Sequence, residues 1–261
     1  GGVSVTSMPT SVLPKDLSAP SGVTAEQLQQ WFLRLAVNKE GVLYEDAFIQ
    51  IGLKTQYDGN KGKLGLFIGN KRQDELSQFS LEMGAQCAEL SCACSSAGTS
   101  IAPRQQMQLT ATVECHAPCI ASPPLTIRYT GGGEQRVMNL RLPVVAAKFV
   151  RPAPMNKNNF DVAWEACYHT GNSMDAPIKS VDKWMKAETL KAMLSNGLHF
   201  ALVEGADAPL LAAGKLHGSS CYVKILTHES EKSVTVSVRS DHATFRESMD
   251  DLLKLLLAAA R

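Results

Sequence analysis

The chain has 261 residues, 44% hydrophobic and 20% charged, with a formal net charge of +1. That balance belongs to a globular protein and excludes disorder over most of its length. A charge so near zero lacks the strong basic excess of a nucleic-acid-binding domain, and the length suits one large or two ordinary domains. The seven cysteines (Cys87, Cys92, Cys94, Cys115, Cys119, Cys167 and Cys221) are odd in number, and several alternate within apolar runs. They read as buried thiols of a reducing compartment.

Residues 1–24 are rich in Ser, Pro and Thr and poor in large apolar side chains, the composition of a flexible hinge or linker. They show no apolar core of a secretory signal. From residue 31 to 145 the apolar residues alternate in short runs: Ile49, Ile51, Leu53; Leu64, Leu66, Ile68; Phe79, Leu81, Met83; Leu90, Cys92, Cys94; Met107, Leu109, Ala111, Val113, Cys115; Leu125, Ile127, Tyr129; and Met138, Leu140, Leu142. Seven half-buried strands, separated by turn signals such as Asp58-Gly59-Asn60 and Gly131-Gly132-Gly133, predict two packed antiparallel sheets. The pattern is that of an immunoglobulin-like β-sandwich over residues 25–147, without the disulfide and tryptophan of that family.

Past Arg151-Pro152 helical and strand patterns mix. Asn158 or Asn159 is expected to cap a helix with Phe160, Ala163, Trp164 and Cys167 on one face. A second helix is predicted over 187–195, stopped near Asn196-Gly197. Strands follow at 199–203, 210–216, 222–226 and 234–238. A last helix starts near Ser240 or Asp241 and buries Phe245, Met249, Leu252, Leu253 and Leu256. Residues 148–261 therefore read as a small α+β domain, an antiparallel sheet flanked by helices and covered on one face. The apolar run of this last helix is interrupted by Lys254 and too short to cross a bilayer. The expectation is a soluble, cytoplasmic protein.

No catalytic signature emerges, so no enzyme is expected. Cys92-x-Cys94 with Cys115-His116-x-x-Cys119 supplies thiols and an imidazole, but neither spacing is that of a zinc knuckle, and buried cysteines are the reading kept. Gly131-Gly132-Gly133 leads into another strand rather than a phosphate-binding helix, which makes it a hairpin turn. No metal and no cofactor is expected. Phe160 and Trp164, four apart on one helix face, read as core on pattern alone.

From about Gly41 onward the chain resembles a known module, the appendage or ear domain of alpha-adaptin in the plasma-membrane clathrin adaptor complex. The resemblance rests on Gly41-Val42-Leu43-Tyr44, Gln50-Ile51-Gly52-Leu53-Lys54, Phe67-Ile68-Gly69-Asn70-Lys71, Val113-Glu114-Cys115, Leu142-Pro143 with Lys148-Phe149, and Phe160 with Trp164. It implies a β-sandwich followed by a platform domain, no catalysis, and a hinge to the rest of the adaptor complex. It also implies endocytic accessory proteins as partners, with the clathrin coat reached indirectly at plasma-membrane coated pits. Neither nucleic acid nor direct membrane insertion belongs to that role.

By the same resemblance two sites carry over. A sandwich side site for WxxF-type peptides matches Lys54, Phe67, Gly69 and Gln106. Its physics is consistent, because Phe67 between Leu66 and Ile68 must face away from the core. A platform site for DPF, DPW and FxDxF peptides matches Phe160, Trp164, Lys224 and Arg239. There the chain departs from the pattern at Asp161, Leu226 and Thr235, which predicts a weakened or altered platform. The competing reading is a structural module of a coat complex, of beta-type or coatomer-like kind, with both patches buried against other subunits.

Overall fold

A capping box opens the first element. The Thr24 hydroxyl accepts from the Gln27 amide at 3.2 Å, and the Thr24 amide donates to the Gln27 side chain at 2.9 Å. Two otherwise orphaned groups are thereby satisfied. Helix α1 follows over Ala25–Val37 and buries Leu28, Phe32, Leu33, Leu35 and Ala36. The computed structural model describes residues 11–12, 14–20, 22–84, 88–120, 122–169, 173–178, 186–205, 208–228 and 233–259. Helix α1 is a correction to a reading that had only strands after the linker. Thr24-x-x-Gln27 and the three- and four-residue spacing of its buried side chains were the available signals.

The sandwich strands are β1 (Glu40–Glu45), β2 (Ile49–Asp58), β3 (Lys61–Asn70), β4 (Ser77–Met83), β5 (Leu90–Cys94), β6 (Gln106–Cys115), β7 (Pro124–Gly131) and β8 (Glu134–Arg141). They form a five-stranded sheet in the order β1-β2-β3-β6-β5 and a three-stranded sheet β4-β7-β8, all antiparallel. The seven runs seen in the sequence are all strands, and β1 is an eighth. Ile51, Leu66, Ile68 and Ala111 from one sheet meet Ile127, Tyr129 and Met138 from the other, each wholly buried. Between β7 and β8 lies the expected hairpin turn, with Gly132 at φ +65 and Gly133 at φ +79, the left-handed pair that a type I′ turn demands.

The passage to the second half, residues 142–150, is almost entirely buried. Then come β9 (Arg151–Pro152), α2 (Lys157–His169), β10 (Ser173–Ile178) and α3 (Ala187–Ala192), which runs into a π-helical turn, Met193–Gly197. β11 (Ala201–Leu202), β12 (Leu210–Leu216), β13 (Ser219–His228), β14 (Ser233–Ser240) and α4 (Ala243–Ala259) complete the chain. The sheet order is β10-β14-β13-β12-β11, with β9 also on β12. Helix α4 packs Phe245, Met249, Leu252, Leu253 and Leu257 under this sheet.

Three expectations change here. The sheet is covered on both faces, since α2 lies against Leu211, Ala213 and Tyr222 on the side away from α4. Asn156, not Asn158 or Asn159, caps α2, its side chain accepting from the Asn159 amide at 2.9 Å. β10, a strand added at the β14 edge, was missed from the sequence, although Met174, Ala176 and Ile178 alternate within it.

The described part of the segment read as a linker is tied down. The Ser18 amide donates to the Asn139 carbonyl at 2.9 Å and its carbonyl accepts back at 2.8 Å. This pairs the open edge of β8. Asp16 takes two bonds from Arg141, at 3.0 and 2.7 Å, and the Arg141 guanidinium holds its carboxyl below the usual range. The Ser11 hydroxyl donates to Asp251 on α4 at 2.9 Å, and Val12 is buried beside it. Low apolar content does not prevent ordering when partners of this kind stand ready.

Lys148 is buried to 4% exposure, and its Nζ donates to the Asn38 carbonyl at 2.9 Å. Burial first, then repulsion from Lys39, pushes its ammonium down to about 8. An unfolded lysine keeps its proton to about 10.4. Below about 8 both states are charged and the folded state bears the full desolvation cost. As pH rises above that value the folded state sheds the proton first, so stability climbs. Lys148→Met is expected to stabilise the domain at pH 7 by about 1–3 kcal/mol. Urea titrations at pH 7 and 9.5 check this, and the advantage should shrink at the higher pH; an advantage that grows instead refutes it.

Candidate functional site

Strand alternation puts every second residue of β2, β3 and β6 on the outer face of the five-stranded sheet. Cross-strand register then makes a grid. Gly52, Phe67 and Gln108 form one row; Gln50, Gly69 and Gln106 the next; Lys54, Gly65 and Thr110 the row on the other side. The structure thus brings Lys54, Phe67, Gly69 and Gln106 onto one surface with Phe67 at its centre. The ring is half-buried although it faces away from the core. It lies along its own strand: a Cβ built on Gly65 would stand 3.2 Å from the ring edge, and one on Gly52 would stand 3.7 Å from the Phe67 Cβ.

Beyond the ring the surface is open. A Cβ on Gly69 would meet only the Gln50 carbonyl, at 3.9 Å, so an incoming backbone can approach to van der Waals contact there. Gln106 is exposed and carries both donor and acceptor. Lys54 pairs with Glu40 at 3.4 Å, both side chains about two-thirds exposed (69% and 68%). Such a pair holds little energy and is readily exchanged for another carboxylate. Toward the β2–β3 turn the face deepens into a recess of about 610 Å3 lined by Gln56, Lys63, Ala93, Thr112 and neighbours. An apolar ring, a bare backbone, amides and a cation in reach can hold an extended peptide that inserts an aromatic side chain. Gly52 and Gly65, which let the ring lie flat, were missed from the sequence. Their outward positions beside Phe67 were the signal, but only pairing register makes it visible.

The platform residues meet differently. Phe160 and Trp164 stack at 5.5 Å with 19° between the rings, and Tyr222 sets its edge on Phe160 at 5.7 Å. Arg239 lies 4.3 Å from the Trp164 ring and donates to the Trp164 carbonyl at 2.8 Å. Phe160 is 1% exposed and Trp164 7%. The face expected to read peptides is packed on the sheet, because Ala213 opposite Tyr222 leaves room for helix α2 to settle its rings there. Lys224 is half-buried on the same sheet face, one row away, opposite Ser237 and Leu211. Leu226, 36% exposed, faces Thr235. Asp161 does not stand beside the rings. It points outward and pairs with Lys157 at 2.6 Å.

Among the described residues no three His, Cys, Asp or Glu side chains stand together in a way that holds a metal ion. Cys115 and Cys119 are buried neighbours, and the hydrogen bond from Cys119 draws the Cys115 thiol below its ordinary range. Cys94, Cys115 and Cys221 are free thiols. No described helix is long and apolar enough to cross a membrane.

Comparison with known proteins adds relatives. Residues 39–143, from β1 through β8, match the model of the adaptin C-terminal domain. The AP-2 complex subunit alpha-2 of Dictyostelium discoideum is 27% identical over 231 residues, 85% of this chain and 23% of that protein. The AP-2 complex subunit alpha-1 of Arabidopsis thaliana is 28% identical over 225 residues, 82% of this chain and 22% of that one. The chain spans about a quarter of the length of these relatives. Among solved structures, the GAE domain of yeast GGA1 overlays with a TM-score of 0.34 at 16% identity, over 40% of this chain and 99% of that domain.

Proposed function

We propose that the chain is an appendage domain of the alpha-adaptin type and gathers endocytic accessory proteins by binding WxxF-type peptides on the outer sheet face around Phe67. The observation that carries this reading is the Phe67 ring, laid over Gly65 and flanked by Gly69, Lys54 and Gln106 on an uncovered sheet. In this setting the domain works without catalysis, beside the plasma membrane at clathrin-coated pits. A hinge links it to the rest of the adaptor complex, and it touches the clathrin coat only through that complex.

A motif that inserts one or two aromatic side chains leaves about 5–8 kcal/mol after ordering costs, a Kd of roughly 0.1 mM to 1 μM. Contacts this weak act in multiples, through many motifs on one disordered partner. Calorimetric titration with a WxxF peptide tests the reading. Phe67→Ala is expected to weaken binding more than about tenfold, because the aromatic contact is lost. Its Tm should barely move, since a half-exposed ring outside the core contributes little to folding. Unchanged affinity in the variant refutes the site.

DPF, DPW or FxDxF peptides on the platform are the weaker half of the reading. Trp164 presents 7% of its surface and lies beneath Arg239, so a ligand must use Lys224 and Leu226 on the sheet or first open the helix. The structural-module alternative predicts obligate association of the isolated domain, which sedimentation detects.

A further inference from the structure

We propose that the cleft between the two halves of the molecule binds a strongly acidic peptide segment. The cleft, of about 480 Å3, is walled by the Gly59-Asn60 turn of the β2–β3 hairpin on one side and by the His217-Gly218 turn of the β12–β13 hairpin on the other. Arg151 and Lys215 stand between them, and Arg151, Lys215 and His217 are all exposed. No carboxylate lines it; Asp58, next to Gly59, lines the separate recess on the sheet face.

The arrangement needs a ligand more than it serves the fold. Arg151 and Lys215 are register partners on β9 and β12, which puts two cations directly across a strand pair, their Cβ atoms about 5 Å apart. Like charges so placed are destabilising, and neither residue is in an ion pair among the described residues. The site is also built. Gly59, at φ +57, is where a Cβ would collide with the Arg151 guanidinium, so the glycine lets that group lie across the turn. The Nε2 of His217 is held against the Cys115 carbonyl, which fixes its ring at the rim.

Carboxylates spaced along an extended chain match the two cations offered side by side from paired strands. A membrane surface fits less well: it calls for a broad basic face, and here the cations are gathered inside a cleft of a chain with net charge +1. The cleft is distinct from the Phe67 surface, and the proposal does not depend on that surface binding anything.

The probe is fluorescein-labelled hexaglutamate, read by fluorescence anisotropy at low salt, with hexaglutamine as control. Arg151→Gln with Lys215→Gln is expected to weaken hexaglutamate binding about tenfold with the Tm held or raised. Lys61→Gln with Lys63→Gln, at the sheet recess, should leave it within about twofold. Absence of hexaglutamate binding overturns the proposal. So does equal loss in the two double variants, or binding only to phosphatidylserine vesicles that depends on Arg151 and Lys215.

Discussion

Phe160→Ala is expected to destabilise the domain by about 3–5 kcal/mol, the range for removing a fully buried aromatic side chain. For a domain of this size that is a Tm fall of roughly 6–20 °C. Trp164→Ala should fall in the same range, because the indole stacks on Phe160 and lies under Arg239, and its loss also strips a buried guanidinium of its ring partner. Paired aromatic and cation–π contacts add to the area term. Thermal denaturation with calorimetry decides the matter. A pocket open to ligand would give the opposite pattern, with Trp164→Ala keeping its Tm and losing only peptide. An unchanged Tm in both variants would therefore show that helix α2 stands off the sheet and that the platform is open.

Removing helix α1 has a still larger expected effect. Leu28, Phe32, Leu33 and Leu35 are buried by contact with β1, the π-helical turn and α4. Trp31 sets its edge on Tyr44, with centroids 6.2 Å apart. Exposing those four side chains and their seats forfeits about 6–12 kcal/mol as an upper bound, comparable with the whole stability of a typical domain. A fragment of residues 39–261, which begins where the family match begins, should therefore bind a hydrophobic dye and aggregate. The fragment of residues 22–261 should fold. Equal Tm values for the two would mean that the helix adds nothing.

The contrast between Phe67 and Phe160 marks how far the sequence alone could be read. In a strand, flanking residues settle direction: with Leu66 and Ile68 inward, Phe67 must point out, and it does. On a helix, the spacing of Phe160 and Trp164 tells only that they share a side. Whether that side meets solvent or a sheet depends on Ala213 and Tyr222, some fifty residues away. The same division explains the rest. The alternating runs of the sandwich and the apolar side of α4 were legible because burial imposes their period. Helix α1 hid behind its proximity to the strand region, although Thr24 and Gln27 marked its start. β10 was missed although Met174, Ala176 and Ile178 alternate within it, because Pro177 argues against a strand unless it lies at an edge, as it does here beside β14. The glycine floor under Phe67 could be seen only once β2 and β3 were in register.

The pinning of Ser11 to α4 and Ser18 to β8 has a bearing on reach. The stretch between these two anchors would otherwise extend a tether by roughly 25–30 Å. In the hinged arrangement proposed above, that shortens the leash and shrinks the volume swept around its anchor. A shorter leash raises the effective concentration at which the proposed peptide site meets motifs on a shared partner. Release of the Asp16–Arg141 and Ser11–Asp251 contacts would pay out that length again, so salt concentration could tune how far the domain fishes for partners.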